Sequence, residues 1–394
     1  MATRSEHDRA GSGAVPLEPE WWRALTRGDY LHALALLRAA VDEHEPISYD
    51  PLAYLLQAVG RFADADAIRR HRAALEGPRG LQALPEELRL ALARASHGPG
   101  GSPPETSPDQ ALAVLVEAVS TRRVVILAEE HHHPEHRAFG ARALAALRAA
   151  GVTHLAVEAN HQERKDEARR SGRITPTTDG FAFEPQRAAL LRSALRLDLP
   201  IVAFDVDERD MSWMQSHPQQ ALAYRERAMA EHIVERILGP RPDARVVVWV
   251  GHGHAQKLDM GVKMMALHLW EITGDEPFCA YQLTGNGNRP GVDVLIRHPE
   301  PTYLRARPDW LRVDRQSVQG SIEPPAACLV QLHPASEGPA STPTDQLLTG
   351  EDGQFELLVP PGDYLLRVWM AAGHVSQPRP LAVRGDLHDV RIPP

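Results

Sequence analysis

A short apolar, largely β-branched run stops at two acids and a cluster of histidines in Val124-Val-Ile-Leu-Ala-Glu-Glu-His-His-His-Pro-Glu-His136. Carboxylate and imidazole together suit general acid–base chemistry on water. They equally suit a divalent metal such as Zn, Mn or Fe. Three further apolar runs end in the same residue types. Glu158, Asn160 and His161 follow His154–Val157, and Asp205, Asp207 and Glu208 follow Ile201–Phe204. His252 and His254 follow Val246–Val250 in Gly251-His-Gly-His-Ala-Gln-Lys, where the glycines let backbone come close to a ligand.

Competing motifs are weaker. His132-His-Pro-Glu-His136 spells H-x-x-E-H, a zinc-protease pattern that needs both histidines on one helix face. Pro134 forces the residue before it out of helical conformation, so that reading is rejected. No G-x-S-x-G elbow, no P-loop and no G-x-G-x-x-G after a strand occurs, which argues against a serine hydrolase and against nucleotide binding. Cys279 and Cys328 lie in no His-bearing motif and read as core. Activated water is therefore expected rather than a protein nucleophile.

For these residues to meet, the runs before them must be parallel strands. Val124–Leu127, His154–Val157, Ile201–Phe204, Val246–Val250 and Phe278–Leu283 are predicted strands, with predicted helices over Glu135–Ala150, Gln186–Arg196, Pro218–Leu238 and Leu258–Thr273. Pro134 suits the first turn of its helix. The alternation predicts an α/β fold, with a mainly parallel sheet flanked by helices. Open sheets of this kind bind ligands at the carboxyl ends of their strands. All four groups would then reach one edge. A plain solvated edge is the competing reading, and four coincidences favour a shared site.

The rest of the 394-residue chain is enough for two or three domains. Residues 1–16 are polar, predicted disordered, and carry no signal-peptide core. No segment reaches the apolar length of a membrane span. A formal net charge of −9 with mixed signs and no basic stripe argues against a nucleic-acid partner. Two distant cysteines suit a reducing, cytoplasmic setting. Residues 17–97 read as a helical region. Gly28-Asp-Tyr and Gly60-Arg-Phe recur near tetratricopeptide spacing, so docking of a peptide is the alternative to simple packing on the next domain. His97 to Pro104 reads as a linker, and residues 106–314 as the α/β domain. Residues 316–394 carry short alternating runs and predict a small β-sandwich, with a hairpin turn at Glu351-Asp-Gly-Gln and a long mobile loop over Ser341 to Thr349. Val359-Pro-Pro-Gly-Asp-Tyr resembles a turn of carboxypeptidase-regulatory-like modules.

Three motifs resemble one broad superfamily. Leu127-Ala-Glu-Glu-His-His-His-Pro-Glu-His136 resembles the G-E-x-H-x-x-P-x-H opening of ChaN-like proteins. Arg225-Glu-Arg-Ala-Met-Ala-Glu-His232 and Trp249-Val-Gly-His-Gly-His254 resemble the R-D-x-x-M-A-x-N helix and the W-A-H-N-G-H strand end of erythromycin esterase-like proteins. TIKI/TraB-type metalloproteases belong to the same group, and the likeness spans Ala111 to Gly285. Ala128 replaces the usual Gly, Glu226 an Asp, His232 an Asn, and Gly251-His252 the first His and the Asn. Losing that first His counts against a macrolide ester, and the extra histidines favour a metal.

The resemblance implies a hydrolase that cleaves an ester or amide bond in a small molecule or peptide. His131 or a divalent metal (Mn, Zn or Fe) would activate water, with Glu129 and Glu158 orienting it and Arg225 and His254 stabilising charge. Glu129, His131, Glu158 and His254 are the implied metal ligands, with His136, His252 and Asp205 secondary. The alternative is a non-catalytic metal- or haem-binding protein. Other polar residues have plainer readings: His132, His133 and His161 as solvated loop, Asp205 as a cap, His268 and Met229 as structural, Glu226 and Arg227 as surface pairs.

Overall fold

The computed structural model describes residues 19–76 apart from 43 and 45–47, and residues 102–393 apart from 260, 286–288 and 371–372. The start expected to be disordered, the expected helical continuation to Ser96 and most of the expected linker from His97 lie outside the described residues. Helices α1 (Glu20–Thr26), α2 (Tyr30–Ala40), α3 (Tyr49–Ala58) and α4 (Phe62–Glu76) form where apolar residues recur at helical spacing. Their inner faces meet in a cluster with Leu25, Leu34, Leu55 and Val59, which also takes in Phe183 and Leu329 from far along the chain.

The central sheet has seven parallel strands: β1 (Glu105–Thr106), β2 (Val124–Glu129), β3 (His154–Val157), β4 (Ile201–Ala203), β5 (Val246–Gly251), β6 (Phe278–Thr284) and β7 (Val294–His298). Their order is β1-β7-β6-β2-β5-β3-β4. Helices α5 (Pro108–Thr121), α6 (Pro134–Ala149), α7 (Gln162–Ser171), α8 (Pro185–Arg196), α9 (Glu208–Ser216), α10 (Ala221–Ile233) and α11 (Met265–Thr273) connect them. Side chains alternate across a strand. On β2, Val125 and Leu127 enter a core with Leu144, Leu147 and Leu191 of α6 and α8. Ile126 and Ala128 enter a second core with Met229, Ile233 and Leu269 of α10 and α11. Cover on both faces explains why all six residues of β2 are buried. The fold class read from the sequence is the one observed.

Several element expectations need correction. The helix expected from Leu258 begins only at Met265, because Gly261 turns at φ +87° and Asp259 bridges Lys263 first. The helix expected over Pro218–Leu238 starts at Ala221 and widens after Ile233 into a π-helical turn, Val234–Leu238. Ser341–Thr349 is not a mobile loop. Ser341, Thr342, Asp345, Gln346 and Thr349 are buried, and Gln346 Nε2 donates to Ala58 O at 2.7 Å.

A hairpin of β8 (Tyr303–Leu304) and β9 (Arg307–Pro308) leads to β10 (Gln316–Ile322), β11 (Cys328–Pro334), β12 (Asp345–Leu348), β13 (Gln354–Val359), β14 (Gly362–Met370), β15 (Arg379–Val383) and β16 (Leu387–Ile392). These make sheets β13-β10-β16 and β12-β11-β14-β15, antiparallel except where β10 meets β16, around a shared core with Val330, Leu357 and Val368. The Glu351-Asp-Gly-Gln turn therefore carries the chain from one sheet to the other instead of closing a hairpin. Among the described residues, no helix is long and apolar enough to cross a membrane.

Candidate functional site

Glu129 ends β2 with its side chain on the α6 side, and it is 1 % exposed. Arg137 of α6 donates to it from Nε at 2.9 Å and Nη2 at 3.0 Å, and Trp249 Nε1 donates at 2.9 Å. His131 Nδ1 lies 2.8 Å from Glu129 Oε1. Burial pushes this carboxyl upward, but Arg137 and His131 more than reverse that and leave it at about 2. An ionised carboxylate only accepts, so Nδ1 of His131 carries the proton that lies between them, and Nε2 is the nitrogen turned to the rim. The imidazole stacks on Phe181, with ring centroids 5.1 Å apart and planes 21° apart.

His131 Nε2 faces Glu158, which follows β3, at 3.8 Å from Glu158 Oε2. Arg225 Nη2 donates to Glu158 Oε1 at 2.7 Å, and the Gly251 backbone N–H donates to Oε2 at 2.5 Å. Burial raises the Glu158 carboxyl, yet His254, His131 and Arg225 pull it well below the usual range. Asp205 clasps Arg225 with both oxygens, at 2.9 and 2.8 Å. It also caps its own loop through Val206 N, so the plain and functional readings of Asp205 coexist.

His254 lies in a short 3-10 turn after β5, and its Nε2 is 3.5 Å from Glu158 Oε1 and 3.4 Å from Arg225 Nη1. Its Nδ1 is 2.7 Å from Glu226 Oε1. This is a close ion contact, and among the described residues neither atom has another partner. Burial pushes the imidazole down, and Glu158 and Glu226 together raise it to about 9. His254 is thus charged at neutral pH.

The structure therefore brings Glu129, His131, Glu158, Arg225, His254 and Asp205 to one rim of the sheet. His252 is exposed at the edge of this group, edge-on to Tyr281 at 6.4 Å. His136 points elsewhere. It is fully buried, accepts the Glu130 N–H at Nδ1 (3.1 Å) and meets Thr284 Oγ1 from Nε2 (3.1 Å). Two plainer readings are corrected. Glu226 is 0 % exposed and holds His254, while Arg227 alone makes the surface pair, with Glu231 at 2.7 Å. His133 is not free in solvent but tied to Glu135 at 2.8 Å, and burial pushes His132 down to about 3.

No family model matches the sequence, and no curated protein matches it. Solved structures similar to this chain include the type III effector HopBA1, at 19 % identity over 50 % of this chain and 96 % of that chain, TM-score 0.34. ChaN of Campylobacter jejuni with cofacial haem is similar at 13 % identity over 47 % and 90 %, TM-score 0.36. RRSP, a MARTX toxin effector domain from Vibrio vulnificus, is similar at 20 % identity over 63 % and 53 %, TM-score 0.34. Likenesses of this size concern the fold and assign neither family nor activity.

The two carboxylates considered for a metal are already engaged. Glu129 is held by Arg137, Trp249 and His131, and Glu158 by Arg225 and Gly251. Two guanidinium groups supply the counter-charge that a divalent ion would bring, so this arrangement does not fit one. Two other groups place three ligand atoms within 4.8 Å of one another: His133, Glu135 and His136, and Asp207, Asp210 and His232. In the first, His136 spends its lone pair on the Glu130 N–H, and in the second Asp207 and Asp210 form the capping box of α9. Sequence reasoning missed Arg137, Trp249, Phe181 and Glu226. Only Glu226 left a trace, as an acid retained beside Arg225 in the motif.

Proposed function

We propose that the chain is a hydrolase that cleaves an ester or amide bond, in a small molecule or a peptide, with water activated by His131 rather than by a metal. Glu129 holds the tautomer, and His131 Nε2 takes the proton from water as it attacks the carbonyl carbon. Arg225 and His254 stabilise the charge that develops on the substrate oxygen. Glu158 lies between the two cationic groups and the base and keeps them in register. The single observation that supports this reading is the buried, ionised Glu129 joined to Nδ1 of a His131 ring whose second nitrogen is turned to the rim and 25 % of whose side chain is exposed.

The test is hydrolysis of a panel of p-nitrophenyl esters, alkyl esters and peptide amides, before and after exhaustive chelation. We expect activity to survive chelation, and His131→Asn to lower kcat/KM by about 10²–10⁴, the range for a positioned base. A folded wild-type protein inactive on the whole panel, or a His131→Asn variant as active as wild type, would sink the proposal. Activity that disappears with a stoichiometric ion would return the metal reading.

A further inference from the structure

Glu158 sits between two imidazoles, each backed by a buried glutamate. On one side run Glu129, His131 and Glu158 Oε2, and on the other Glu226, His254 and Glu158 Oε1. We propose that Glu226 is a positioning residue that keeps His254 protonated as the proton donor to the leaving group, opposite the base His131. This inference rests on the hydrolase reading above.

The geometry leaves Glu226 little else to do. It follows Arg225 on α10, and consecutive helical residues point about 100° apart. Arg225 therefore reaches the rim while Glu226 turns inward, beneath the start of α11. There its Oε2 accepts the Met265 N–H at 2.8 Å. Among the described residues its Oε1 has His254 Nδ1 alone for company, at 2.7 Å. A buried carboxylate oxygen without a proton facing it is costly, so Nδ1 must carry one. The ring then turns Nε2 to the rim, where Glu158 and Arg225 face it and the His252 and His131 imidazoles stand nearby. Five acidic or basic neighbours, Glu226 included, set its charge, and two of them are carboxylates. The value of about 9 noted above agrees with that balance.

A base alone does not complete hydrolysis. Water oxygen bonds to the carbonyl carbon as His131 Nε2 takes a water proton. The carbon–oxygen or carbon–nitrogen bond then breaks, and its electron pair leaves on the alcohol oxygen or amine nitrogen. That atom takes the Nε2 proton of His254, giving a neutral alcohol or amine and the acid. His131 ends protonated and His254 neutral, and Glu158, lying between their Nε2 atoms, is placed to return the proton.

The leaving group supplies the test. A p-nitrophenolate leaves without a proton, whereas an alkoxide or amide ion does not. Glu226→Gln keeps the shape and can still accept the Met265 N–H. It should lower kcat on alkyl esters and amides by about tenfold or more beyond whatever is lost on p-nitrophenyl esters, which also use the charge of His254 on the oxyanion, and Glu226→Asp should partly restore the difference. His131→Asn should lower both classes alike. Independently of activity, the titration midpoint of the His254 ring, followed by nuclear magnetic resonance on the full chain and assigned with His254→Gln, should fall by about one pH unit or more in Glu226→Gln. Equal losses on both ester classes, or an unmoved midpoint in a folded variant, overturns the inference. A wild type inactive on every ester and amide removes the hydrolase reading and the donor role with it. The midpoint then still decides whether Glu226 governs the charge of His254.

Discussion

At Gly251 a methyl group would stand 2.6 Å from His131 Nε2 and 3.0 Å from Glu158 Oε2. The backbone there is ordinary for any residue, at φ −64° and ψ 157°, so the constraint is space alone. Gly251 lies level with Glu129 across the β2–β5 pair, and on the β3 side of the same strand its N–H meets Glu158. Gly251→Ala is expected to fold, with an overpacking cost of about 1–3 kcal/mol. It should displace the His131 ring from Glu158 and lower kcat by tenfold or more, on the order seen for small misplacements of reacting groups. Steady-state kinetics beside a thermal melt checks this. An alanine variant with wild-type kcat would mean that His131 and Glu158 do not act at the observed separation. At this scale the sequence was partly legible. His131, Glu158 and His254 stand directly after apolar runs, where strand ends announce them. Arg137 and Trp249 do not, because one sits inside an Ala-rich helix and the other inside a strand, and only the fold turns them onto Glu129.

Among elements, α3 and the loop between α7 and α8 carry more of the site than their composition suggests. Gln57 of α3 is 3 % exposed and donates to the His132 carbonyl at 2.7 Å. Tyr54, one turn earlier, packs 5.9 Å from Phe181, the ring on which His131 lies. The same loop is fastened at Phe183, whose carbonyl accepts the Tyr30 hydroxyl at 3.0 Å and whose ring meets Trp22 edge-on. The N-terminal helices thus buttress the catalytic-side loop. Tyr54→Ala should lower kcat/KM by about threefold to tenfold by loosening Phe181, and Tyr54→Phe should keep wild-type rates, since only the ring is used. Equal rates in Tyr54→Ala and wild type would show that the stack plays no part. Strands β2 to β6 of the sheet were readable because burial on both faces demands unbroken apolar runs, whereas β1 and β7 were not predicted. Helix α7 was not, since Gln162-Glu-Arg-Lys-Asp-Glu-Ala-Arg-Arg-Ser171 has almost no apolar period to detect. Strand β12 was hidden for a related reason. Asp345 and Gln346 are polar, and they are buried only because distant residues satisfy them.

Across the whole molecule, buried arginines join parts that lie far apart in the chain. Arg307 of β9 is 0 % exposed and pairs with both oxygens of Asp345 on β12. Its Nη1 donates to Gly60 O in the α3–α4 turn at 3.2 Å, and its guanidinium lies 5.2 Å from the Phe62 ring centre. Asp345 also accepts the Leu358 N–H at 2.7 Å, which ties in β13. One side chain therefore pins the N-terminal helices, the β8–β9 hairpin and both C-terminal sheets. Arg192 repeats the device, with Nε donating to Glu337 at 2.6 Å from α8. Removing one member of such a pair leaves an uncompensated buried charge, at a cost of about 3–5 kcal/mol. Arg307→Ala should accordingly lower the melting temperature. The N-terminal helices and the C-terminal sheets should also become protease-sensitive together, because both lose the same fastening. Hydrogen exchange resolved by segment would follow the two regions separately. Loosening confined to the C-terminal sheets, with the helices over residues 20–76 as protected as before, would show that the N-terminal helices hold the Phe181 loop without help from the sandwich.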